Sequence, residues 1–251
     1  MNSFIGWIGG KKLLRKEIVS RFPNKFDRYI EVFGGAGWVL FHGEKHADME
    51  VYNDYNSDLV NLYRCIKYHC EELQRELSCM LNSRELFEDF KAQYNTRGMT
   101  DIQRAARFFM LIKSSYGCDT RSYGCVKRNI SVTVQYLSAI QERLSRVVIE
   151  NKDFESLIKV YDRPGALFYF DPPYYGTEKY YEAQFSGDDH ERLYSALKNI
   201  KGKFILSYND CEYVWSRYEN FHIEAIDRNN NLTSRYSDVD KRYGELIIRN
   251  Y

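Results

Sequence analysis

The sequence predicts an α/β protein with a helical segment inserted into it, and three observations predict this. The run Ala166-Leu167-Phe168-Tyr169-Phe170 is apolar or aromatic throughout and then meets Asp171-Pro172-Pro173-Tyr174. A continuous apolar run of that length reads as a strand buried on both faces of a parallel sheet. Arg28–Phe33 reads as a second strand and is followed by Gly34-Gly35-Ala36-Gly37 and a short helical pattern at Trp38–Phe41. Strand, glycine turn and helix form the βα unit of open nucleotide-binding sheets. Between about Glu71 and Arg146, by contrast, apolar residues recur only at helical spacing. The expected organisation is therefore discontinuous, with residues 1–70 and 146–251 forming one α/β domain and 71–145 a helical domain within it.

Composition bounds the partners. The chain has 251 residues and a formal net charge of +1, so no global basic field advertises a polyanion, and a nucleic-acid site has to be a local patch. None of Cys65, Cys70, Cys79, Cys118, Cys125 and Cys211 forms a C-x-x-C pair. His42 and His46 are four apart, but Glu44 does not stand where a metalloprotease pattern needs it, so no metal is expected. The N-terminus has no apolar signal region and no run reaches membrane length, which makes a reduced, cytoplasmic protein the expectation.

The elements follow in order. Trp7-Ile8-Gly9-Gly10-Lys11-Lys12 is a glycine-rich loop opening a helical pattern that runs to Arg21, where Pro23 stops it. Such a loop can present N–H groups to an anion or can be a flexible terminus. Val51-Tyr52-Asn53-Asp54 reads as a strand ending in an acid, about twenty residues after the glycine turn. Asp54 is either the acceptor for ribose hydroxyls or a cap for the helix opening at Asn56-Ser57. Four helices are expected at 71–80, 84–94, 101–113 and 132–145. Residues 114–129, between the last two, carry two Tyr-Gly steps and three basic residues and suit a hairpin or ordered loop. Its Tyr116, Arg121, Tyr123, Lys127, Arg128 and Asn129 mix aromatic, basic and amide groups as a nucleic-acid groove would require, although a solvated loop has a similar composition. Val147–Asn151 returns to strand character, and Asp153-Phe154 follows it, with Asp153 either a helix cap or an acceptor for an amine. A Tyr-rich loop at 177–186 precedes a helix at Asp188–Asn199. Strands at Phe204–Tyr208, Phe221–Ile226 and Glu245–Arg249 complete the chain, with a polar stretch at 229–242 before the last.

The Asp171 stretch has a specific chemistry. Two prolines end the strand, remove two N–H donors and hold an extended backbone. The Asp171 carboxylate and the Pro172 carbonyl can only accept hydrogen bonds, and Tyr174 offers a face for stacking. A planar group carrying an amine matches all three, whereas the bland reading is a proline turn.

Taken together, Trp7-Ile8-Gly9-Gly10-Lys11, Glu31-Val32-Phe33-Gly34-Gly35-Ala36-Gly37, Asn53-Asp54, Asp153-Phe154, Asp171-Pro172-Pro173-Tyr174 and Glu245–Tyr251 resemble, in order and over nearly the whole chain, the Dam-type (D12 class, alpha group) family of DNA adenine-N6 methyltransferases. Val32 departs from the family's usual Pro, and the 114–129 segment matches only loosely, which leaves the recognised DNA sequence open. The resemblance implies a Rossmann-like seven-stranded sheet with an antiparallel final strand, S-adenosyl-L-methionine as cofactor and double-stranded DNA as partner; separately from the resemblance, a monomer without metal is expected. It implies that Trp7, Gly10 and Lys11 line the cofactor's methionine end, that Glu31, Phe33, Gly35 and Gly37 form the turn beneath it, that Asp54 holds the ribose, and that Asp153 and Phe154 bind the cofactor's adenine. Asp171, Pro172, Pro173 and Tyr174 then receive a flipped-out adenine. Position within the 114–129 segment, not the resemblance, makes Arg121, near a hairpin tip, the expected base reader, Lys127 and Arg128, nearer the following helix, the phosphate contacts, and Asn129 a partner for an adenine edge. Cytosine N4, an RNA amine or a catalytically silent DNA-binding module are the alternatives.

Overall fold

The computed structural model describes residues 1–125, 130–177, 185–229 and 242–251. Among these the strands are β1 (Arg28–Glu31), β2 (Met49–Asn53), β3 (Val147–Glu150), β4 (Ala166–Phe170), β5 (Lys203–Asn209), β6 (His222–Asn229) and β7 (Arg242–Arg249). They form one sheet in the order β3-β2-β1-β4-β5-β7-β6. The pairs among the first five are parallel, and β7 runs antiparallel between β5 and β6. The expected antiparallel last strand is present. The strand order reverses between β1 and β4, so the carboxyl ends of those two strands border the crevice where open α/β sheets bind ligands.

The helices are α1 (Arg15–Ser20), α2 (Ser57–Tyr68), α3 (Cys70–Ser78), α4 (Arg84–Ala92), α5 (Asp101–Ser114), α6 (Ile130–Leu144), α7 (Phe154–Tyr161), α8 (Gly187–Lys198) and α9 (Glu212–Arg217). α2 starts where Asn56 accepts from the Asp58 and Leu59 N–H groups, so Asn56 is the cap and Asp54 is left for other work. Thr100 and Gln103 form a reciprocal capping box at α5. The core alternates with the pleat. Tyr29, Tyr52, Leu167, Tyr169 and Ile205 face a cluster shared with α2, α3, α5 and α6. Ile30, Val51, Phe168, Phe170 and Leu206 face the opposite cluster, with α7 and α8. The helices between β2 and β3 thus cover one face of the sheet and share its core.

Two expectations fail. Trp38–Phe41 does not form a helix but a succession of turns, with Phe41 N–H donating to Gly37 O and His42 N–H to Val39 O. The segment is too short to propagate helix beyond one turn, and Gly43, at φ +109°, ends it. The first helix begins at Arg15 rather than Lys11, because residues 12–14 are turns. Helix α9 has too few residues for periodicity to reveal it, and the sequence reading missed it.

Candidate active site

A cavity of about 480 Å³ opens at the switch point of the sheet. Its wall is assembled from the carboxyl ends of four parallel strands. Glu31 ends β1 and Phe33 follows it, Asp54 follows β2, Asp153 and Phe154 follow β3, and Asp171 and Pro173 follow β4. Buried Asn53 ties the first three of these ends together. Its Nδ2 donates to Val32 O at 2.8 Å and to Lys152 O at 3.1 Å, and its Oδ1 accepts from Lys152 N–H at 2.8 Å.

The glycine turn lets other groups come close. Gly35 has φ +49°, and a Cβ there would lie 2.7 Å from Trp7 Cδ1; Gly37 has φ +64°. A side chain at Gly35 would be strained and would displace the Trp7 ring. Asp54 Oδ2 accepts from Gly35 N–H and Oδ1 from Asn56 N–H, both at 2.8 Å, so its carboxylate locks the glycine turn to the start of α2. Burial pushes the Asp54 carboxyl up, and those backbone donors partly offset it.

Glu31 is buried and accepts from Tyr29 Oη at 2.8 Å. Burial pushes its carboxyl up to about 8, with the Tyr29 hydrogen bond opposing the shift. The folded protein therefore holds a proton that the unfolded chain, with an ordinary value of 4.5, releases. Stability associated with Glu31 is complete below about pH 4.5 and is lost as pH rises toward about 8. Glu31→Gln accordingly gains melting temperature relative to the native protein as pH increases across that window. A difference between the two that stays constant from pH 5 to 8, measured by thermal melts of both proteins, removes Glu31 from this role.

Around Asp171 the structure brings together residues far apart in sequence. Lys11 Nζ lies 2.6 Å from Asp171 Oδ1 and 3.5 Å from Glu245 Oε1, and it donates to Gly9 O at 3.0 Å. The Tyr174 hydroxyl donates to Glu245 Oε1, and Lys11 Nζ sits 4.8 Å from the Tyr174 ring centroid. Lys11 and Glu245 are buried, so their charges balance against each other and Asp171 rather than against water. Burial, then the Glu245 and Asp171 charges, push the Tyr174 phenol well up. Glu245 was not singled out as a site residue from the sequence. Its signal was an acid opening the otherwise apolar run Leu246-Ile247-Ile248.

The cavity gathers Trp7, Gly10, Lys11, Glu31, Phe33 and Gly35, and also Asp54, Asp153, Phe154, Asp171 and Pro173. Gly37, Pro172 and Tyr174 are not among the residues that line it. Pro172 is buried, and Gly37 packs against Phe41 and Tyr63. Asp153 caps α7, its Oδ1 accepting from Glu155 and Ser156 N–H, while still lining the cavity.

Residues 114–125 form the expected ordered loop. Ser115 bridges Tyr123, Tyr116 N–H donates to Ser122 O at 2.7 Å, and Gly124 N–H donates to Ser114 O at 2.8 Å. The tip reaches the cavity, where Arg121 stands with Cys118, Asp119 and Thr120. Tyr116 is exposed. The Tyr123 ring lies against α4, 4.8 Å from the Arg84 guanidinium and 5.6 Å from the Phe87 ring. Lys127, Arg128 and Asn129 lie outside the described residues. Among the described residues no helix is long and apolar enough to cross a membrane, and no group of three metal-ligating side chains occurs.

A parallel sheet closed by an antiparallel strand, with Asp-Pro-Pro-Tyr at its switch point beside a glycine-turn cavity, defines a methyltransferase of Rossmann-like fold. The model of the D12 class N6 adenine-specific DNA methyltransferases matches residues 7–232, and the chain belongs to that family. The chain is 29% identical to the type II methyltransferase M1.LlaDCHI of Lactococcus lactis subsp. cremoris, over 100% of this chain and 96% of that protein. It is 27% identical to the type II methyltransferase M.MjaIII of Methanocaldococcus jannaschii, over 99% and 98%. It is 26% identical to the retron Ec67 DNA adenine methylase of Escherichia coli, over 88% and 82%.

Proposed function

We propose that the protein transfers a methyl group from S-adenosyl-L-methionine to the N6 amine of an adenine flipped out of duplex DNA at a specific site. The observation that carries this reading is Asp171, held by Lys11 on the wall of a cavity at the switch point. The cavity suits the cofactor in size and in donor set, with Asp54 for ribose hydroxyls, Asp153 and Phe154 for the adenine, and Trp7, Gly10 and Lys11 at the methionine end. The bound cofactor supplies an electrophilic methyl group.

The protein's own groups address the weakness of the nucleophile. The N6 lone pair of adenine is delocalised into the ring. Asp171 and the Pro172 carbonyl accept the amine hydrogens, which favours a pyramidal nitrogen with its lone pair free to attack. The Asp171 carboxylate also stabilises positive charge developing on N6. Holding the base against the cofactor adds a proximity contribution. The base reacts only outside the helical stack, and Tyr174 stacks on it there.

Recognition is assigned to the helical segment 71–145. Arg121, at the cavity rim, reads a base edge near the entry of the flipped nucleotide, with exposed Tyr116 beside it and Tyr123 bracing the loop against α4. Lys127 and Arg128 contact phosphates, and Asn129 an adenine edge. The protein acts as a monomer in the cytoplasm and needs no metal. Long-read mapping of genomic DNA treated with the protein and cofactor tests the whole reading. N6-methyladenine at one recurrent sequence is expected. N4-methylcytosine, methylation confined to RNA, or no modification overturns it.

The cofactor assignment makes its own prediction. Asp54→Ala weakens S-adenosylmethionine binding by roughly 1.5–3 kcal/mol, because the ribose hydroxyls lose a charged acceptor. The glycine turn loses its latch at the same time. Titration calorimetry showing unchanged affinity returns Asp54 to a purely structural role.

A further inference from the structure

We propose that Arg192 is the positioning residue that makes the cofactor site selective for a 6-amino purine; the proposal rests on the reading of Asp153 as the acceptor for the cofactor's adenine. Arg192 projects from α8 onto the start of α7, and both it and Asp153 line the cavity. Its Nη2 donates to Asp153 Oδ1 and Oδ2, each at 3.1 Å, and to Glu155 Oε2 at 2.7 Å. Its Nη1 donates to Asp189 Oδ1 at 2.5 Å. The guanidinium carbon lies 4.8 Å from the centroid of the Phe154 ring. One side chain therefore holds both members of the Asp153-Phe154 pair and is itself braced by two further carboxylates.

The two oxygens of Asp153 are not equivalent. Oδ1 is committed, accepting from Glu155 N–H at 3.0 Å and Ser156 N–H at 3.4 Å as the cap of α7. Among the described residues Arg192 is the one group that donates to Oδ2. A carboxylate oxygen has room for a second donor, so Oδ2 keeps an acceptor position for a ligand N–H. The cap alone ties one oxygen and leaves the carboxylate plane free to turn. Arg192 Nη2, reaching both oxygens from a different helix, removes that freedom, and it is held there because the same rigid guanidinium also reaches Glu155 and Asp189, which the single nitrogen of a Lys does less well. Without Arg192 the Asp153, Glu155 and Asp189 carboxylates lose their shared counter-charge, and Asp153 is pushed out of its aligned position. Arg192, Asp153 and Glu155 are each about a third exposed, so water solvates what a substitution leaves behind and the fold survives it.

An acceptor fixed in this way favours a 6-amine and repels a 6-oxo group. The test compares calorimetric binding of S-adenosyl-L-homocysteine with that of S-inosyl-L-homocysteine, in which an oxo group replaces the amine, to the full-length protein without DNA. The native protein is expected to prefer the adenosyl compound by about tenfold or more, as polar sites reject analogues that cannot pair with them. Arg192→Met is expected to bring the preference below about threefold at an unchanged melting temperature, and Arg192→Lys to restore part of it. If Arg192→Met does not fold, the ratio is read on Arg192→Lys, which is expected below the native value. A native preference that both variants keep in full overturns the role of Arg192 and leaves Asp153 as the amine acceptor. No preference in the native protein overturns the Asp153 reading and the proposal with it. A general loss of affinity for both compounds at a constant ratio also counts against it, since a merely structural contact has that effect.

Discussion

Asp171→Ala lowers the rate of methyl transfer by more than a hundredfold, about 3 kcal/mol or more in the barrier, while the protein remains folded. Asp171 directly follows the buried strand β4 and lines the cavity, and it is the carboxylate that Lys11 holds at 2.6 Å. In the proposed reaction it accepts an amine hydrogen and faces the charge that grows on N6, so its contribution is largest in the transition state. The fold survives its removal because buried Lys11 retains Glu245 at 3.5 Å as a counter-charge. Asp171→Asn, which keeps the shape, is expected to fail as well, because half of its amide turns a donor toward an amine that must donate. Single-turnover transfer to duplex DNA, with a thermal melt as the control for folding, reads both variants. Near-native turnover in a folded Asp171→Ala protein contradicts the mechanism.

Arg143→Met destabilises the protein by about 3–5 kcal/mol, the usual consequence of stranding one partner of a buried ion pair. Arg143, on α6, donates to Glu50 Oε2 at 2.6 Å and Oε1 at 2.8 Å, and to Leu40 O at 2.8 Å. Glu50, on β2, also accepts from His46 N–H at 2.9 Å. The side chains are 7% and 4% exposed, so little water is available to replace the lost partner. This contact fastens the last helix of the insertion to the sheet and to the turns that follow the glycine loop. The double variant Glu50→Leu/Arg143→Met is expected to recover a large part of the loss, because it removes both charges and fills the space with apolar groups. Urea unfolding of the three proteins measures this. A single variant within about 1 kcal/mol of native stability shows that the pair is not isolated from solvent.

The parts of the site that are local in sequence were legible in it. Ala166–Phe170 followed by two prolines defines a strand and its end, and the structure places Asp171 at that end. Gly34–Gly37 after an apolar strand defines a tight turn, and the positive φ of Gly35 and Gly37 supplies it. The four helices of the insertion were legible because amphipathic periodicity over two or more turns is a local property. Trp38–Phe41 was misread because four residues do not separate one helical turn from a run of turns. For Asp54 and Asp153 the sequence left two readings each. The tertiary structure shows Asn56 capping α2 and Asp153 capping α7 with a cavity-lining carboxylate, so cap and ligand group are not exclusive.

By itself, then, the sequence determined the strands and most helices, the position of Asp171 at a strand end and the family to which the chain belongs. The strands, the helices and the place of Asp171 follow from the period of apolar residues and from backbone restrictions that act within a few residues, and the family from the resemblance of six segments in order. Only the tertiary structure decided which charges meet. It set β7 between β5 and β6, which brings Glu245 to Lys11 and Tyr174. It packed α8 against α7, which brings Arg192 to an Asp153 that is 39 residues away, and α6 against β2, which joins Arg143 to Glu50 across 93. A charged side chain carries no periodic mark of its partner. Its pairing is fixed by strand order and helix packing, which the apolar core selects, and the ion pairs form where that core leaves them.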